Sequence, residues 1–323
     1  DMQAAHAAGE TVDLYAELQQ VTMRVIGKVL FSLDVADIPN TFPEITRHAL
    51  RFAMFQNLSP IKMPLWLPIP IHIRHRNLMA QLNTFMDELI DARLADPSAY
   101  DDILAKLIIN YGEEAPTYRE EIRHQLITLF FAGFETTNTA LAWTWYLIAQ
   151  HPEVEAKLLA EVESTLGQRP MTYDDMRALP YTGQVIAESL RLYPPVYTMP
   201  RTATEQDELG GEAVHPGDNV LLSLHTLHRM SEYWDDPDAF RPERFAPENL
   251  TSEQRDAYMP FGAGRRKCIG VNFATVEMMA VTCMMVRRYK YNLSPAHPVV
   301  PDAAVTVFPK YGIHMTLEAR DNA

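Results

Sequence analysis

No proline falls between Thr117 and Gln150, and that uninterrupted run constrains the fold more than any other stretch. Thr117-Tyr118-Arg119-Glu120 has the S/T-x-x-E form of a capping box, which predicts a helix start, and His151-Pro152 predicts its end. At 1.5 Å per residue such a helix is roughly 50 Å long. Apolar residues at helical spacing predict further helices over 10–31 (Leu14, Leu18, Val21, Val25, Leu30) and 41–56. Others are predicted over 71–94, 152–166 with Pro152 at N1, 181–192 and 272–290. Pro60, Pro64, Pro68 and Pro70 forbid a helix in the apolar loop that opens at Ser59. Extended chain is predicted at Tyr193-Pro194-Pro195-Val196-Tyr197-Thr198-Met199-Pro200-Arg201 and over 219–224, after the turn Pro216-Gly217-Asp218. Residues 304–317 alternate like a hairpin. The expectation is a mainly α fold with a small β region, one domain over residues 1–323.

Hydrophobic residues make up 47% of the chain, enough for a large core. A net charge of −14 excludes a nucleic-acid binder and makes the run Arg265-Arg266-Lys267 a local positive patch on an acidic molecule. The two cysteines, Cys268 and Cys283, form no C-x-x-C pair, which excludes a disulfide scaffold or zinc knuckle and suits a reducing compartment. Cys283, on a predicted helix, reads as a small core residue. No run of about 18 apolar residues and no signal peptide occurs, so a soluble, cytoplasmic protein without a transmembrane segment is expected.

Chemistry concentrates in two places. In Phe261-Gly262-Ala263-Gly264-Arg265-Arg266-Lys267-Cys268-Ile269-Gly270, a cysteine follows three cations and is flanked by glycines that allow tight turns. Thiolate is the metal-binding form of cysteine, and positive neighbours favour it. In the middle of the long helix, Ala132-Gly133-Phe134-Glu135-Thr136-Thr137 joins a glycine to two β-branched residues. The glycine alone costs about 1 kcal/mol relative to alanine there, and a local rule broken at one spot marks function or strain. Glu188 and Arg191, three apart, share a helix face and can pair, a pattern common on helix surfaces.

The pattern F-x-x-G-x-R-x-C-x-G resembles the haem-binding loop of the cytochrome P-450 monooxygenases at every fixed position. The helix motif is similar to that family's (A/G)-G-x-(D/E)-T-(T/S), and E-x-x-R and F-x-P-E-R-F follow in the family's order. The resemblance implies haem b (iron protoporphyrin IX) ligated by Cys268, with Phe261, Gly262 and Gly270 shaping the loop. Arg201 and Arg266 would hold the propionates, and Ala132 and Gly133 would leave room for dioxygen. Glu135 and Thr136 would be the acid–alcohol pair that delivers protons. Glu188, Arg191 and Arg244 would form a structural triad. Phe131, Phe134, Val196, Tyr197, Thr198, Met199, Val305 and Thr306 would line an apolar substrate pocket, with Phe52 and Phe55 nearby. The helices over 41–56 and 71–94 resemble its lid.

The implied reaction inserts one oxygen atom of O2 into an apolar organic substrate. Electrons would come from NAD(P)H through a donor protein (ferredoxin, flavodoxin or reductase) docked on the Arg265–Lys267 patch. Peroxygenase, isomerase or dehydratase, and non-enzymatic sensor are the alternatives. A peroxygenase usually lacks the acid–alcohol pair, and an isomerase would need no reductant. The resemblance covers the C-terminal larger part of a family member and none of its N-terminal portion, with the β region, the entrance lid of that portion and the propionate-contacting helix. A fragment is therefore expected, with a membrane anchor in the missing part left open.

Overall fold

A computed structural model describes residues 11–34, 37–39, 41–58 and 63–320. Eight helices of nine residues or more occur among them: α1 (Leu14–Phe31), α2 (Phe42–Leu58), α3 (Pro70–Ala95), α4 (Ile103–Tyr111), α5 (Arg119–Gln150), α6 (Pro152–Leu166), α7 (Pro180–Leu192) and α8 (Val271–Arg288). The strands are short: β1 (Val12–Asp13), β2 (Thr198–Thr202), β3 (Asp207–Leu209), β4 (Glu212–Val214), β5 (Asn219–Ser223), β6 (Tyr289–Leu293), β7 (Pro301–Ala303), β8 (Val307–Pro309) and β9 (His314–Ala319). The fold is mainly α with small sheets, as expected. Two positions of that reading, residue 10 and the loop over 59–62, lie outside the described residues. Contacts divide the chain into two compact units, one of Tyr15–Asn138 with Ala303–Val305, the other of the remainder. The boundary falls inside α5.

In the first unit the core follows from helical spacing. Leu78, Leu82, Met86 and Leu89 bury one stripe of α3, and Ile122, Leu126, Phe130 and Phe134 do so on α5. Phe130 packs edge-on against Phe42 at 5.2 Å between centroids and lies 5.1 Å from Phe134. The buried guanidinium of Arg93 bonds Asp102 through Nε (3.1 Å) and Nη2 (2.9 Å). Asp102 also caps α4 through the Ala105 N–H at 2.7 Å, so neither charge is left bare.

In the second unit α8 packs on α6 and α7. Cys283 is fully buried there, and burial pushes its thiol up to about 11, as suits a core residue. Strand β2 pairs antiparallel with β5, Met199 opposite Leu222 and Arg201 opposite Val220. Trp143 stacks on Tyr193 at 4.3 Å and donates from Nε1 to Val307 O at 2.7 Å; Val307 N–H donates to Pro195 O at 3.0 Å. The chain after β7 is thereby fixed beside the proline segment.

Three expectations are corrected. The helix predicted from residue 10 opens only at Leu14, because Val12 and Asp13 pair with Met315 and His314 as β1. Residues 304–317 do not form one hairpin: β7 pairs with β8, and β9 lies between β1 and β6 in a separate three-stranded sheet. Alternation identified strand-like chain but not its partners, because Val12 and Tyr289, the partners of Met315 and Ala319, lie far away in sequence. Helix α5 begins at Arg119 rather than directly after Thr117. The turn over Gly112–Glu114 continues through that point, and Glu114 O accepts the N–H groups of both Thr117 and Tyr118.

Candidate functional site

The cysteine loop is shaped by its own backbone. Cys268 N–H donates to Phe261 O at 2.9 Å, Gly262 N–H to Met259 O at 3.0 Å and Lys267 N–H to Gly264 O at 3.1 Å. Gly262 (φ +70°) and Gly264 (φ +67°) take left-handed conformations that a side chain would strain. A β-carbon on Gly262 would also sit 3.4 Å from Met199 Sδ, so the loop and β2 touch. Helix α8 opens three residues after Cys268, with Gly270 as its N-cap, placing the positive end of a helix dipole beside the loop.

What this surface leaves uncovered fits a metalloporphyrin. Cys268 is an exposed thiol outside any disulfide, and Ile269 beside it is 87% exposed. Leu222, opposite Met199, and its neighbour Leu221 are exposed as well. Arg201 Nη1 donates to its neighbour Pro200 O at 2.9 Å; among the described residues no carboxylate pairs with Arg201, Arg265, Arg266 or Lys267. A soft sulfur donor, bare apolar side chains and guanidiniums without a carboxylate partner among the described residues match the iron, the macrocycle and the propionates of haem in turn.

Behind the loop lies the Glu188 cluster. Arg191 forks onto Glu188 through Nε (2.7 Å) and Nη2 (2.8 Å); Arg244 Nε adds 2.9 Å and the Arg241 N–H 3.0 Å. Glu188 and Arg191 are fully buried, and the remaining guanidinium protons reach the carbonyls of His228, Pro237, Asp235 and Asp236. One carboxylate serves two guanidiniums, and backbone carbonyls take up the excess positive charge, so the cluster holds structure.

His228 was not singled out from the sequence. Its Nε2 accepts the Met259 N–H at 3.0 Å and its Nδ1 lies 3.2 Å from Arg191 O. Nε2 must therefore be unprotonated and Nδ1–H the donor, which makes the ring neutral. It ties the Glu188 cluster to the residue two before Phe261. Burial pushes it down to about 4, only partly opposed by the hydrogen bond to Arg191 O. The folded protein thus binds fewer protons than the unfolded chain between about pH 4 and 6.5. Stability should fall by about 3 kcal/mol as pH drops through that window. His228→Gln, which cannot titrate, should flatten that part of the unfolding-versus-pH curve; parallel curves for the two proteins would reject the assignment.

In the other unit, the helix motif sits on an unbroken stretch of α5. Thr136 Oγ1 donates to Ala132 O at 2.7 Å and Thr137 Oγ1 to Gly133 O at 2.9 Å, so both hydroxyls satisfy themselves on the preceding turn. Gly133 serves packing: its β-carbon would lie 2.6 Å from Ile26 Cδ1 of α1. Glu135 is buried and accepts from Tyr15 Oη at 2.8 Å. Burial pushes its carboxyl up to about 7, against the lowering by Tyr15, Arg47 and Gln19.

Of the expected pocket residues, Phe134 is fully buried in the core against Phe130, while Phe131 is half-buried. Val196, Tyr197, Thr198 and Met199 are half-buried along the segment that enters β2, and Val305 is exposed. Thr306 is buried with an Oγ1 that has no hydrogen-bond partner among the described residues.

A family profile of cytochrome P-450 matches residues 1–315. Cyclooctatin synthase of Streptomyces melanosporofaciens is 35% identical over 305 residues, covering 92% of this chain and 66% of that protein. Pentalenene oxygenase of Streptomyces avermitilis is 30% identical over 313 residues, covering 97% of this chain and 70% of its own length. The chain thus spans just under two thirds of the first relative. Among solved structures, the haem domain of cytochrome P-450DA superposes with a TM-score of 0.85 at 26% identity, over 99% of this chain and 71% of that one. With a profile match over nearly its whole length and relatives at this identity, the chain belongs to the cytochrome P-450 family.

Proposed function

We propose that the protein is a haem-thiolate monooxygenase that inserts one oxygen atom of O2 into an apolar organic substrate. The observation that carries this reading is the exposed Cys268 thiol on a loop pinned by Phe261 O, next to the exposed Arg265 and Arg266 and ahead of α8. Bound haem supplies reductive activation of dioxygen, and a thiolate ligand favours O–O cleavage. The chain's own residues do the rest. Cys268 provides the sulfur, Arg201 and Arg266 hold the propionates, and Glu135 and Thr136 move protons. Met199 and Val196 contact substrate. The exposed run Arg265–Lys267, on a chain of net charge −14, receives an acidic electron-donor protein. Relatives named for pentalenene and cyclooctat-9-en-7-ol support a ring-bearing, largely hydrocarbon substrate.

The proton step provides the test. Thr136→Ala should leave haem binding and first reduction intact, because neither needs that hydroxyl. Reductant consumption should stay within about threefold while hydrogen peroxide released per reductant rises. Thr137, one position on and about 100° around the helix, should do much less as alanine. Product and peroxide per electron pair in both variants decide it: a fully coupled Thr136→Ala enzyme removes Thr136 from the relay.

A further inference from the structure

Glu135 needs more than its own carboxyl to work as a proton carrier. At 6% exposure it has almost no contact with water, and its hydrogen-bond donor at 2.8 Å is a hydroxyl, not a cation. That hydroxyl belongs to Tyr15, 9% exposed, in the first turn of α1. Gln19, one turn along and 8% exposed, also favours the charged form of this carboxyl. From α2, the charged group that acts on it is Arg47. The close approach of α1 to α5 that permits these contacts depends on Gly133, whose missing β-carbon leaves the space Ile26 fills.

A buried carboxylate whose hydrogen-bond donor is a hydroxyl depends on that donor for its ionised form, with the Arg47 charge acting in the same direction. A carboxyl that cannot be emptied of its proton cannot be refilled, and it stops being a relay. Resting on the proton-relay reading above, we propose that Tyr15 is a positioning residue for that relay: its hydroxyl holds the Glu135 carboxyl against α1 and stabilises its ionised form. The sign is fixed by the direction of donation. A hydrogen bond given to the carboxylate favours the charged form, so it opposes the upward push of burial. Without it, Glu135 stays protonated to higher pH.

The experiment uses the full-length haem-loaded protein and two isosteric variants, Tyr15→Phe and Glu135→Gln. The carboxyl C=O stretch of Glu135, identified as the infrared band missing in Glu135→Gln, is titrated in wild type and in Tyr15→Phe. Loss of a hydrogen bond to a charged group should raise the midpoint by about one to two pH units. The pH at which peroxide release per reductant begins to rise should move up by a matching amount. A residue that merely packs would leave both positions unchanged, and an unshifted infrared midpoint overturns the role of Tyr15. A Glu135→Gln enzyme that stays fully coupled at every pH instead brings down the relay reading, and the proposal with it, whatever the infrared band does.

Discussion

Cys268→Ser should abolish the red-shifted Soret band of the ferrous carbonyl complex, and with it turnover, while Cys283→Ser leaves the band in place. The two cysteines differ in every respect that bears on ligation. Cys268 is exposed on a loop whose backbone is fixed by Phe261 O and whose glycines cannot take a β-carbon without strain. Cys283 is buried in α8, and burial pushes its thiol up to about 11. A serine oxygen cannot replace a thiolate as a soft, electron-donating ligand. An unchanged carbonyl spectrum in Cys268→Ser would sink the central claim. A changed spectrum in Cys283→Ser would show that core packing, and not ligation, controls the signal.

Glu188→Ala should have the second-largest effect, a loss of about 3–5 kcal/mol in unfolding free energy and of retained haem. The substitution strands the fully buried Arg191 and the mostly buried Arg244, and it also removes the acceptor of the Arg241 N–H. Against a typical total of about 5–15 kcal/mol, such a loss removes much of the folded population. Lys157→Ala, which breaks an ion pair to Glu243 between two well-exposed side chains, serves as the control. It should cost under about 1 kcal/mol. Denaturant midpoints and haem content of the two variants give the comparison; equal losses would mean that burial of the Glu188 cluster does not matter to stability.

Much of this was legible in the residues because it is local. The helices α3, α6, α7 and α8 fall within two residues of where spacing and proline placed them. The loop around Cys268 announces itself through residue types within ten positions. What escaped was long-range. Tyr15 bonds Glu135 across 120 positions and His228 reaches Met259 across 31, and neither a lone tyrosine in an apolar helix nor a lone histidine carries a pattern that says so. The partners of β9 were missed for the same reason. Phe134 was expected to face substrate and lies in the core, because a motif fixes residue order but not which face of α5 a neighbouring helix will cover.

The position of β9 at the centre of its sheet bears on how the molecule is made. Its partners, β1 and β6, do not pair with each other; each pairs with β9. Among the described residues neither has another strand partner, so during synthesis their pairing with β9 waits until residues 314–319 have left the ribosome. The entropic cost of closing so long a loop grows slowly, at about 0.6 kcal/mol per doubling, so the delay carries little thermodynamic weight. Its weight is kinetic: until the last strand arrives, β1 and β6 are open to pairing with another nascent chain.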